Sequence, residues 1–223
     1  MTPELRKEAS ELQLHKRGIR INVQLHVIEA DEEVRLRSAD ELRARLIALW
    51  AVSQAAIHGT RCRMYDFLQE QQLTSILSPC ELRFLTTETV SDEEQQGFRD
   101  RLHAFHFLSW CASYVAQIDL SNKPIDSQKI LQRFPSIGDD DILDANKLSE
   151  HHELKVRHKV QVMDWCDLLY RLHWAVRHAS LNHKASPGNI DPTMVREWHQ
   201  AVNWMCNYDD EDDWDQVSTE TTA

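Results

Sequence analysis

Residues 91–115 read Ser91-Asp92-Glu93-Glu94-Gln95-Gln96-Gly97-Phe98-Arg99-Asp100-Arg101-Leu102-His103-Ala104-Phe105-His106-Phe107-Leu108-Ser109-Trp110-Cys111-Ala112-Ser113-Tyr114-Val115. Ser91, followed three residues later by Glu94, is a capping box that opens a helix. Phe98, Leu102, Phe105, Leu108 and Ala112 then form one apolar stripe. Phe107, Trp110 and Tyr114 lie roughly opposite, at about 100° per residue. A helix apolar on two sides needs neighbours on both, so this one is central and other helices must cover it.

The flanking sequence supplies them. Ser38-Ala39-Asp40-Glu41 opens a helix to about Ile57 with Leu42, Leu46, Leu49, Ala56 and Ile57 on one face, and Gly59 stops it. A short helix is expected around 64–71. Ser78-Pro79-Cys80-Glu81 combines an N-cap, a proline at N1 and a capping glutamate. A long helix covers about 150–181, and Asp191-Pro192 starts the last, ending near Asn207. Residues 119–149, with Pro124, Pro135, Gly138 and Asp139-Asp140-Asp141, form an irregular excursion around a short helix at 127–134. Ile19, Ile21, Val23, Leu25 and Val27 alternate with the period of a strand. Val34 and Leu36 are a potential partner, so 19–37 is either a hairpin or an extended strap on the helices. The expected fold is a single all-α domain over 1–223 whose last two helices pair antiparallel.

The chain has 223 residues and a formal net charge of −11. Its end, 209–223, holds seven acids and no base, leaving −4 for the body. No run of Lys and Arg marks a phosphate-binding surface, which disfavours nucleic acid. Five cysteines without a C-x-x-C pair suit reduced thiols in a cytosol. The N-terminus lacks a signal-peptide apolar stretch, and the most apolar segment, Leu46–Ile57, is too short to span a bilayer. A soluble cytoplasmic protein, off the membrane, is expected. No H-E-x-x-H, Walker A loop, G-x-G-x-x-G or G-x-S-x-G occurs, and no cofactor is implied.

Polar side chains recur on the rims of the last two apolar stripes. Val162, Trp165, Leu169, Leu172, Val176 and Ala179 define the first, with Asp164, Asp167, Arg171 and His178 on its solvated side. His173 and Arg177 project to its rim. In the final helix His199 and Asn203 occupy the equivalent rim. An antiparallel pair brings His173 and His199 to one level. Either imidazole suits a general base near neutral pH, and Arg177 suits an anion. The same groups equally suit a hydrogen-bonded network that fixes the helix pair.

Cys166 and Cys206 share these rims but stand seven residues from the histidines. That is about 10.5 Å of rise, too far for one zinc. A site made of the two histidines and a tail carboxylate such as Asp215 stays open by spacing, but Arg177 beside it would repel a cation, and no metal site is assigned. His103 and His106 suit satisfied core positions, and His151, His152 and His158 a solvated helix start. Asp209, Asp210, Glu211, Asp212 and Asp213 read either as a solvated end or as a surface for a basic partner protein. Trp214, inside the acidic run, is expected to fold back onto the helices with Val217.

These segments together resemble a mainly bacterial family known as domain of unknown function 4272. The resemblance rests on Gly18-Ile19 with Ile21-Asn22, on Val34-Arg35-Leu36-Arg37-Ser38, and on Asp167-Leu168-Leu169-Tyr170-Arg171-Leu172-His173-Trp174-Ala175. It continues through Leu181-Asn182, Asp191-Pro192, His199-Gln200-Ala201-Val202-Asn203-Trp204 and Trp214-Asp215-Gln216-Val217-Ser218-Thr219-Glu220-Thr221. It implies a helical cytoplasmic protein and carries no assigned reaction. Two functions stay open. One is a non-enzymatic protein-binding module, inhibitor- or antitoxin-like. The other is an enzyme or small-ligand sensor using His173, Arg177, His199 and Asn203 around an anion, with Trp214 and Asp215 as further members of the candidate polar site.

Overall fold

Serine caps start the helices that build the core. Ser38 and Ser78 make reciprocal boxes with Glu41 and Glu81, and Ser91 Oγ accepts from the amide of Glu94. They open α2 (Ala39–His58), α4 (Pro79–Thr86) and α5 (Asp92–Cys111). Gly59 ends α2 at φ +69°, a left-handed turn that glycine enters without steric cost. The computed structural model describes residues 1–121, 126–137 and 143–221, apart from the side chains of His152 and Glu153. Pro124, Gly138 and Asp139–Asp141, invoked for the irregular excursion, lie outside the described residues.

The described chain is all-helical and contains no strand. It also includes α1 (Pro3–Lys16), α3 (Arg61–Glu70), α6 (Gln128–Leu131), α7 (Asn146–Ser149), α8 (Lys159–Leu181) and α9 (Pro192–Met205). The main helices stack in the order α2, α5, α9, α8, α1, with α3 and α4 against α2. On one side of α5, Phe105 meets Phe134 edge-on at 5.2 Å, and Phe134 stacks on Trp50 at 5.7 Å. On the other, Phe107 lies 5.6 Å from Trp198 and 6.3 Å from Trp165. The two apolar faces of α5 are used as its sequence requires. No helix among the described residues is long and apolar enough to cross a membrane.

Several boundaries differ from those the sequence suggests. Helix α5 stops at Cys111 rather than Val115, because Ser113 turns the chain at φ +61°. Arg157 then takes the carbonyls of Trp110 and Val115, both at 2.7 Å. The helix expected from Glu150 begins only at Lys159: 150–153 is one tight turn, and Leu154 dives into the core. His151, expected in solvent, is buried with Nδ1 2.7 Å from Tyr114 Oη.

The supposedly solvated side of α8 is also covered. Asp167 and Arg171 are 0% and 2% exposed, and their bidentate pair at 2.7–2.9 Å lies beneath α1 and the 19–37 segment. Helix α1 escapes a hydrophobic-periodicity reading because charges dock it as much as apolar contact. Arg6 reaches Asp31 at 2.7 Å and Asp164 at 2.9 Å.

Residues 19–37 form the strap and not the hairpin. Ile19, Leu25 and Val34 are buried, whereas Val23 and Val27 are exposed. Lys7 Nζ donates to the carbonyls of Val23 and Leu25, both at 2.7 Å, and Lys159 Nζ to those of Asp31 and Val34 at 2.9 and 2.7 Å. Ammonium groups thus satisfy carbonyls that a second strand would otherwise pair. Lys159→Met keeps the aliphatic stem and removes the donor. Urea unfolding should show a loss of roughly 1–3 kcal/mol, the cost of stranding partly buried acceptors; an unchanged midpoint would show that water replaces the ammonium.

Candidate functional site

Met163 with Cys206, Cys166 with Asn203 and His173 with His199 meet in descending order, so α8 and α9 run antiparallel. His173 Nδ1 lies 2.8 Å from His199 Nδ1. Asn203 Nδ2 donates to the Ser218 carbonyl at 2.8 Å and faces His199 Nε2 at 3.2 Å. This network assigns the tautomers. His199 Nε2 accepts from the amide, so its Nδ1 carries the hydrogen and donates to His173. The Cys166 thiol donates to Asn203 Oδ1 at 3.7 Å.

Burial disfavours charge on both rings. His173 is pushed down to about 4, first by desolvation and then by Arg177 and Arg196. His199 is held well below its usual value by desolvation, His173 and Arg177. Both are neutral at pH 7 and too weakly basic to match a general base working there.

The other expected site residues are placed apart. Arg177 is exposed and reaches the buried Thr221 hydroxyl at 3.4 Å. Trp214 is buried 6.0 Å from Trp204, with the Arg45 and Arg101 guanidinium groups 4.9 and 5.7 Å from its ring. Asp215 accepts from Ser78 Oγ and the Cys80 amide, both at 2.8 Å, at the start of α4. Neither Trp214 nor Asp215 belongs to the histidine pair. Among the described residues no group of His, Cys, Asp or Glu is arranged to hold a metal ion.

The acidic end is tied down along much of its length. Arg37 bonds the Glu211 carbonyl at 2.7 Å and pairs with Asp212. Glu211 Oε1 accepts from the Asp213 amide at 2.8 Å, and Asp213 caps the turn that carries Trp214. Asn207, Asp209 and Asp210 hold φ of +53° to +57°, which Asn and Asp tolerate better than most residues. That turn delivers Tyr208 and Asp209 to a cavity of about 360 Å³ between the strap and the chain's end.

His199, Asn203 and Cys166 line one part of this cavity. Glu29, Asp209 and Glu220 supply its charged groups, and Tyr170 and Tyr208 its aromatic rings. His173 and Arg177 do not line it. Glu29 and the two tyrosines escaped the sequence reading, because helical periodicity carries no information about which loop folds over which rim.

The architecture and its buried polar seam define an all-α protein with a cavity where the last helix pair meets two non-helical segments. The family model described as Domain of unknown function (DUF4272) matches residues 6–217, and the chain belongs to that family. No curated protein and no solved structure matches it.

The histidines make stability depend on acid. Their folded-state affinity for protons lies below that of the unfolded chain, so the unfolded chain takes up protons as pH falls from about 6.5 towards 4. The stabilisation is complete above that window and is lost through it. His173→Gln should flatten the acid limb by roughly 2–3 kcal/mol in urea melts across pH 4–7. Parallel curves for the two proteins would exclude this source of acid sensitivity.

Proposed function

We propose that this is a non-enzymatic cytoplasmic binding module that captures a basic partner protein, seating a Lys or Arg side chain in the cavity between the strap and the acidic end. The observation that carries the reading is the cavity's charge: Glu29, Asp209 and Glu220 line it with Tyr170, Tyr208 and His26, and no Lys or Arg stands among the described residues of its wall. A cationic side chain gains both ion pairing and contact with the ring faces there. Asp210 and Asp212 extend the exposed acidic surface outside it. The five free thiols suit a reducing compartment.

An anionic ligand, the alternative suggested by Arg177 and the histidines, has less support. The Arg177 guanidinium is directed to Thr221, the imidazoles are neutral and already bonded, and three carboxylates would face the anion.

A capped hexapeptide of alternating Lys and Gly is expected to bind in isothermal titration, weakening several-fold as salt rises from about 50 to 300 mM. Glu29→Gln combined with Glu220→Gln should weaken it roughly tenfold. A matching Glu-Gly peptide and inorganic pyrophosphate should not bind. Preference for pyrophosphate over the basic peptide would reverse the reading in favour of the anion sensor.

A further inference from the structure

A second groove, of about 500 Å³, lies between α4, α5 and α9 and shares no lining residue with the first cavity. Three features set it apart from ordinary surface. Arg101 has no hydrogen bond or ion pair among the described residues; its guanidinium lies 5.7 Å from the rings of Phe98 and Trp214, with Nη1 buried and unpartnered. Glu197 is 3% exposed; Oε1 meets Arg196 at 3.3 Å, but Oε2 is buried and unpartnered. Gly97 sits inside α5, where glycine costs about 1 kcal/mol relative to alanine. A Cβ there would meet nothing within 4 Å, so packing does not demand the glycine, and a side chain would enter the groove.

The groove therefore offers an orphaned cationic donor and an orphaned anionic acceptor with an unobstructed floor. Arg83, Arg101 and Arg196 balance Glu93, Glu94 and Glu197 in its wall. A simple anion would leave Glu197 Oε2 unpaired and meet three carboxylates, and a simple cation would meet three guanidinium groups. A ligand with both charges close together satisfies each orphan. We propose that this groove binds a small zwitterion of the free α-amino acid class. Its carboxylate pairs with Arg101, its ammonium pairs with Glu197 Oε2, and its side chain lies along Gly97 and Phe98. The guanidinium's planar fork matches a carboxylate, and pairing completes both buried groups. The site is independent of the cavity proposed for the basic partner.

The test is a thermal-shift panel of the twenty free amino acids at up to roughly 10 mM, followed by calorimetry on any that stabilise the protein. At least one should bind. Its N-acetyl and carboxamide derivatives should each bind at least tenfold more weakly, as should the parent amino acid to Arg101→Gln and Glu197→Gln. Gly97→Leu guards against a folding artefact: it should raise the melting temperature, through better helix propensity, while abolishing binding. Absence of binding across the panel, equal binding of the blocked derivatives, or binding that survives Gly97→Leu would each overturn the proposal. The Glu29→Gln and Glu220→Gln changes should leave amino-acid binding unaltered, so failure at one site is separable from failure at the other.

Discussion

Backbone carbonyls at helix ends and outside the helices must be satisfied in a fold that has no sheet among its described residues, and basic side chains do this at many of them. Lys7 and Lys159 hold the strap, Arg171 takes the His26 carbonyl, and Arg37 takes those of Trp204 and Glu211. Arg61 binds the carbonyls of Phe84, Thr87 and Glu88, Arg99 takes the Ala56 carbonyl at the end of α2, and Arg157 closes the end of α5. An unpaired buried carbonyl costs more than a hydrogen bond returns, so these contacts fix where each irregular segment lies. Together with the buried Ile19, Leu25, Val34 and Trp214 they hold the strap and the acidic end to one path.

That use of cations shapes the functional surface as well. Lys7, Lys159, Arg37 and Arg171 turn inward to backbone carbonyls, while Glu29, Asp209 and Glu220 line the cavity. The neutral imidazole pair adds hydrogen bonding without charge, and Asn203 joins that pair to Ser218. One side of this seam is thus helix packing and the other a polar wall, made from consecutive turns of α9. Arg101 departs from that use: its guanidinium lies on two aromatic rings and makes no hydrogen bond or ion pair among the described residues.

Much of the helical frame could be read from local chemistry. The boxes at Ser38 and Ser78, the left-handed stop at Gly59 and the two-sided stripe of α5 each depend on residues within a few positions of one another. The rim positions of His173, His199 and Asn203 followed from a 3.6-residue period. Where the reading failed, the deciding partner was distant. Asp167 and Arg171 look solvated on an isolated α8 and are buried only because α1 arrives from the other end of the chain. The start of α8 shifted because Leu154 found the core, and His151 found Tyr114.

The starts of α2, α4, α5 and α9, the apolar faces that must be covered, the net charge and the family are all legible in the sequence, since each is a property of short-range pattern, composition or ordered motif. Tertiary structure alone decided that 19–37 is a strap, that Trp214 and Asp215 pack at α4 and α9 rather than beside the histidines, and that the cavity is walled by carboxylates. Those outcomes depend on long side chains meeting backbone far away in sequence, such as Lys159 at Val34 or Arg37 at Glu211. Periodicity records which face of an element is apolar, but it holds no record of which distant carbonyl a flexible cation will reach.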